Sequence, residues 1–424
     1  MTDRVQGRGQ GPGKMNSGDV RISIQGLTVG MFVSRLDKPW IETPFPLQGI
    51  VVKSEADVAK LQLTCSHVWV DPVRGTSPDP RYFAFEAPAA RTAGADEFER
   101  LRSTRWTIQS DFSTELREAE HAHASIEAGL EEVMRDLQEG KRLDIDKLKD
   151  GVEAMIDSIL RNPAALIWLR EMKRRDNYAY QHALGCSIWA ASFGRHLGLE
   201  RSELRALALA GLLCDVGKSR LPQELLVKKG GLTAQDVADL RSHVQLGLDI
   251  LANNPDLPQS VVEAIATHHE RHDGSGYPKG LVGPAIPVFG RILGIVDSYD
   301  AMTSIRPYAA ARSPHDTINE LYRQRDKLYQ PELVEQFIQS CGIYPIGTLV
   351  ELSNGQVGVI TEIHSLKRLL PRVMLLLAED KRPLQRFREI DLSQMDQDDP
   401  SRLTIKAGLP NGAFGLDAVE LFLA

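Results

Sequence analysis

The sequence predicts a multidomain α+β protein: a small β-containing N-terminal domain, a mainly all-α central region and a β-rich C-terminal extension. Three observations carry this prediction. A chain of 424 residues exceeds one ordinary domain, so two or three are expected. Short alternating runs bounded by Gly, Pro and Asp mark strands near both ends. Apolar residues at helical spacing mark the middle. The predicted bounds are a disordered tail at 1–18, the N-terminal domain at 19–75, linker and helices at 76–163, the helical domain at 164–341 and the extension at 342–424.

The tail is rich in Gly and polar residues. VRISI, GMFVSRL, GIVVKS and SHVWVD then read as strands, with Trp40 and Trp69 expected to cap the small core. Residues 75–95 show no clear period. From Asp111 to Leu160, SIEAGLEEVMRDL and IDKLKDGVEAMIDSIL are amphipathic helices, candidates for signal transmission or for a contact between two copies of the chain. His121 and His123 are expected on a solvated helix face there. Beyond Tyr344, GTLVELSNGQVGVITEI places a Ser-Asn-Gly turn between two alternating segments, a hairpin signal, and PRVMLLLAED supplies another strand.

Composition excludes several classes. Hydrophobic residues at 42% and charged residues at 25% fit a soluble globular chain. A net charge of −7 argues against a general DNA binder. The four cysteines, Cys65, Cys186, Cys214 and Cys341, lack CxxC spacing and fit a reducing cytoplasm. The longest apolar run, ALALAGLLC, is too short for a membrane span, and the N-terminus lacks a signal-peptide core. A cytoplasmic protein is expected.

The chemistry concentrates in the helices. His182, Asp215, His243, His268, His269 and Asp297 each sit beside apolar helical residues. Buried charges and imidazoles are costly unless paired or metal-bound, and several converging helices are how a bundle builds a metal site. Each residue alone also fits an ordinary core or capping role; the joint occurrence is what points to a metal. Adjacent helical residues are rotated by about 100°, so His268 and His269 are expected to address two metals, or one metal and a phosphate. Lys218, three residues after Asp215, is placed on the same helix face, where its charge suits a phosphate oxygen.

HHERHDGSGYPKGL resembles the signature of the HD-GYP family, which hydrolyses the bacterial messenger cyclic di-GMP. The resemblance runs from about Asp176 to Ser340, with DNYAYQH, LLCDVGK, GGLTAQD, SHVQLG and RILGIVDSYDAMTSIRPY in family order. GLTVGMFVSRLDKPWIETPF resembles a domain of unresolved role that precedes HD-GYP domains. The resemblance implies an all-α HD-type domain at 164–341 and two divalent metal ions, iron or manganese. It places His182, Cys214, Asp215, His243, His268, His269 and Asp297 in metal-ligand positions, with Asp215 bridging. It assigns Lys218 and Arg306 to substrate phosphates, and Asp273, Gly274, Gly276, Tyr277 and Pro278 to the signature loop beside the substrate.

Two departures bear on activity. Cys214 stands where the family has a ligating histidine, and RPYAAA lacks a further basic residue. A thiolate in place of imidazole favours softer ions, and losing a ligand weakens metal affinity. The expected function is therefore a metal-dependent cyclic di-GMP phosphodiesterase, with reduced activity as one outcome. The alternatives are an inactive cyclic di-GMP receptor acting through signalling partners, and a phosphohydrolase for another nucleotide.

Overall fold

The computed structural model describes residues 20–38, 43, 49–72, 74–83, 104–172, 178–228, 230–304, 311–363, 370–396, 399, 401–410, 412–416. The expected tail, Trp40 and Arg306 lie outside them. The chain divides into two compact units, Met1–Ala90 and Arg91–Ala424.

The first unit holds a four-stranded sheet of β1 (Val20–Ser23), β2 (Phe32–Leu36), β3 (Ile50–Val51) and β4 (His67–Val70), in the order β1-β4-β2-β3. All its pairings are antiparallel. Period-2 alternation buries Val68 and Val70, while Trp69 projects from the other face, where Arg35 lies 3.6 Å from its ring centroid. Trp69 thus stacks on arginine rather than capping the core. The strand reading passed over helix α1 (Glu55–Thr64). Its signal was present: Ser54 and Asp57 form a reciprocal capping box.

In the second unit, α2 (Phe112–Gln138) starts at Asp111, whose side chain accepts from the Thr114 N–H. Helix α3 (Asp146–Arg161) folds back on it. The two pack closely because Gly151 lies against the Ile126 backbone, where a Cβ would come within 2.6 Å of the Cα. Arg161 donates two hydrogen bonds, 2.8 and 2.9 Å, to the buried Glu115 carboxylate. These helices pack onto α4 (Pro163–Met172), α5 (Tyr178–Leu197) and α6 (Arg201–Leu213), so they are part of the helical body rather than a separate linker. His121 is exposed as expected, but His123 is fully buried: it lies on the apolar stripe with Ala119, Ile126 and Leu130.

The helical body continues through α7 (Gln223–Leu226), α8 (Ala234–Arg241), α9 (His243–Leu251), α10 (Gln259–Thr267), α11 (Val288–Thr303), α12 (Pro314–Arg323) and α13 (Pro331–Cys341). Trp189, Phe193, Tyr299 and Phe337 meet edge-on at its centre, with ring centroids 5.0–5.9 Å apart. The predicted hairpin appears as β5 (Leu349–Leu352) paired with β6 (Val357–Glu362), and PRVMLLLAED supplies β7 (Arg372–Leu377). β8 (Pro383–Asp391) and β9 (Ile405–Gly408) complete an antiparallel sheet of order β8-β7-β6-β5-β9. The fold is α+β, with a helical body and two small sheets.

Candidate metal centre

Five helix segments deliver the polar side chains. His182 lies one turn into α5, and His243 is the first residue of α9. α6 ends at Leu213, so Cys214 and Asp215 form a turn leading into the 3-10 segment Val216–Arg220, which carries Lys218. His268 and His269 follow the last residue of α10, and Asp297 sits mid-helix in α11, buried. Gly217 makes the assembly tight. A Cβ there would stand 1.9 Å from the His243 carbonyl oxygen, so only glycine lets the 3-10 segment meet α9.

Asp215, His243, His268 and His269 form one cluster, each offering a ligand atom within 4.8 Å of the others. His268 and His269 thus both offer a ligand atom to this cluster, and His269 Nδ1 also lies 3.9 Å from Asp297 Oδ2 in the neighbouring group. His268 caps α10 with helical φ/ψ and His269 follows it, and their ring centroids lie 4.0 Å apart. Backbone carbonyls fix two tautomers: His243 Nδ1–H donates to Leu240 O and His268 Nδ1–H to Ile265 O, each at 2.7 Å. The opposite nitrogens, His243 Nε2 and His268 Nε2, are buried without a hydrogen bond, as is Asp215 Oδ1.

Buried polar atoms are ordinarily satisfied. Three unsatisfied ligand atoms facing one point fit a divalent cation, which takes imidazole and carboxylate donors together. Burial holds His268 and His269 in the neutral, ligating form, pushing His268 down to about 4 and His269 well below its usual range.

A second group adjoins the first. His182 Nε2 lies 3.1 Å from Asp297 Oδ1 and 3.5 Å from Asp215 Oδ2. Asp215 thus presents Oδ1 toward His243 at 3.4 Å and Oδ2 toward His182. Burial opposes charge on His182, but the hydrogen bonds with Asp297 and Asp300 prevail and raise it to about 10. Lys218 Nζ donates to Asp215 Oδ2 at 2.5 Å; although burial works against its charge, the Asp215 carboxylate holds it above the ordinary lysine range. Asp297 Oδ2 is 3.9 Å from His269 Nδ1.

Cys214 is buried, but its thiol donates to Gly211 O at 3.3 Å and belongs to neither candidate ligand group among the described residues. Cys186 groups instead with His182 and Asp300. Its sulfur stands 3.8 Å from His182 Nδ1 and 3.7 Å from Nε2. Burial first, and the adjacent Cys214 thiol next, push the Cys186 thiol well above its usual range.

Sequence reasoning missed Asp300, Arg170 and Glu270. Asp300 Oδ2 accepts from His182 Nδ1 at 2.8 Å and is itself paired with buried Arg170, which also donates to Glu171 and Ser304. This carboxylate turns the other imidazole nitrogen toward Asp297 and Asp215. Its signal was the DSYD spacing, which puts it one helical turn from Asp297. Glu270 pins the signature loop by accepting from the backbone N–H groups of Lys279 (2.7 Å) and Leu281 (2.9 Å).

Within that loop, Asp273 is exposed and accepts from the Ser275 N–H. Gly274 takes φ +82, and Gly276 lies where a Cβ would come 2.3 Å from Arg271 N. Tyr277 stacks on His269 at 4.7 Å, and Pro278 is exposed beside it.

The chain matches a family model described as HD domain over residues 161–333 and a domain of unknown function, DUF3391, over residues 19–148. It is 32% identical over 385 residues to a cyclic di-GMP phosphodiesterase of Pseudomonas aeruginosa, covering 89% of this chain and 90% of that protein. The chain belongs to the HD-GYP family. Two further HD-GYP relatives match more narrowly. The cyclic di-GMP phosphodiesterase response regulator RpfG of Xanthomonas campestris is 38% identical over 35% of this chain and 40% of its own length. A cyclic di-GMP phosphodiesterase of Thermotoga maritima is 34% identical over 39% of this chain and 45% of its own. The chain thus spans less than half of the latter two. No described helix is long and apolar enough to cross a membrane.

Proposed function

We propose that this protein is a metal-dependent cyclic di-GMP phosphodiesterase, opening the cyclic dinucleotide to linear pGpG and then to GMP. The observation that carries the reading is the placement of Asp215: one oxygen faces His243 in the cluster with His268 and His269, and the other faces His182, which pairs with Asp297. That arrangement suits a carboxylate shared by two divalent cations, iron or manganese. Bound cations supply Lewis-acid polarisation of the phosphodiester and activate water at neutral pH.

The chain's own residues do the rest. Neutral His268 and His269 keep lone pairs for coordination without adding charge, and His243 Nε2 is buried without a hydrogen bond. Lys218, with one third of its side chain exposed, reaches from Asp215 to a phosphate oxygen and offsets charge there. Asp300 holds the His182 ring in register. The same reading takes 19–75 as a regulatory domain, 164–341 as the hydrolase domain and the cytoplasm as the location. It includes self-association through α2 and α3 and contacts with signalling proteins; light scattering tests the self-association.

A second reading, a receptor that binds cyclic di-GMP without turnover, is favoured by the Cys214 thiol, which bonds to a backbone carbonyl rather than joining the ligands. Chromatographic assay of cyclic di-GMP loss with iron, manganese or zinc separates the two. The wild-type protein is expected to yield pGpG and GMP, and Cys214→His is expected to bind metal more tightly and turn over faster. Ligand binding without turnover under any metal overturns the enzyme reading and supports the receptor.

A further inference from the structure

The cluster accounts for a reacting phosphodiester but leaves the bases of a cyclic dinucleotide without a place. A cleft of about 420 Å³ opens beside it, between α8, the start of α9 and the signature loop. Its size falls within the range of small-molecule sites. Val237, Ala238 and Pro278 give it apolar walls, Tyr277 an aromatic one, and Arg241 and Gln245 its polar groups. Tyr277 ties the cleft to the metal residues, because the same ring stacks on His269.

Arg241 is exposed and lies over Tyr277, 4.8 Å from the ring centroid. Its forked donors are therefore open to a ligand. Gln245 Nε2 donates to Asp249 at 2.8 Å, which leaves its carbonyl oxygen to accept. No residue of α8 is buried, so the apolar wall it gives the cleft stands open.

We propose that this cleft is a purine subsite that takes one guanine of the substrate, with Arg241 donating to guanine O6 and N7. The assignment rests on the cyclic di-GMP reading above and adds a residue that sets base choice. Guanine presents two acceptors along that edge, which match an arginine fork; adenine replaces one with an N6 donor and repels it. Gln245 accepts from a guanine N–H on the other edge. The flat base lies against the Val237–Ala238 wall, with Arg241, seated over Tyr277, at its edge.

The test compares wild type, Arg241→Gln and Ala238→Trp with cyclic di-GMP and cyclic di-AMP, measuring Kd, KM, kcat and bound metal. Arg241→Gln is expected to raise Kd and KM for cyclic di-GMP on the order of tenfold or more, with cyclic di-AMP binding and metal content unchanged. Ala238→Trp is expected to fill the cleft and raise KM for both. Equal weakening of both dinucleotides by Arg241→Gln assigns the arginine to phosphate and overturns the base assignment. Unchanged affinity in both variants overturns the subsite itself. If the metal-loaded wild type neither binds nor cleaves either dinucleotide, the phosphodiesterase reading fails and takes the proposal with it.

Discussion

At the scale of single residues, the site is governed by which nitrogen of each histidine is left over. Backbone carbonyls occupy Nδ1 of His243 and His268, and Asp300 occupies Nδ1 of His182. Asp300 is the one orienting group that is a side chain, so it is open to substitution. Asp300→Asn keeps the shape, weakens the acceptor and leaves Arg170 facing a neutral amide. Metal affinity is expected to fall about 10–100-fold, read as metal retained after dialysis against a graded chelator. Unchanged retention with an unchanged melting temperature would show that His182 needs no such partner.

The proposed ligand positions His182, Asp215, His243, His268, His269 and Asp297 stood out in the sequence because polar residues interrupt apolar helical runs there. Asp300 did not, because its partners Arg170 and His182 come from helices distant in sequence. The thiol of Cys214 was legible as an anomaly, but its bond to Gly211 O depends on how α6 ends.

At the scale of elements, close backbone approaches position the site. Gly217→Ala would push the 3-10 segment off α9. Overpacking of this kind costs about 1–3 kcal/mol, so chemical denaturation is expected to show that loss together with reduced metal content. A fully stable, metal-replete Gly217→Ala protein would mean the contact can relax. Helix α8, which walls the cleft, is held by a capping box in which Asp236 accepts from Thr233 and from Lys228.

Lys228 first, and Thr233 next, pull the Asp236 carboxyl down to about 2. A depressed carboxyl stabilises above its unfolded value near 3.8 and loses that contribution as pH falls toward 2. Asp236→Asn is therefore expected to lower the melting temperature at pH 7 and to match wild type near pH 2. A difference that persists unchanged to pH 2 would contradict this. Helices and the C-terminal hairpin were readable from period and turn chemistry. Helix α1 was passed over, although its capping box was in the sequence, because its apolar residues form no clear helical stripe and strands flank it.

At the scale of the whole molecule, two compact units carry separate cores, and every candidate ligand lies in Arg91–Ala424. The shared carboxylate of Asp215 is what the central claim turns on. The most direct measurement is cyclic di-GMP turnover and metal stoichiometry on the same iron- or manganese-loaded preparations of wild type and Asp215→Asn. The account predicts pGpG and GMP from wild type, with both metal content and turnover lost together in the variant. Wild type that binds metal and ligand without releasing product, or an Asp215→Asn protein that keeps full metal and full turnover, would contradict it.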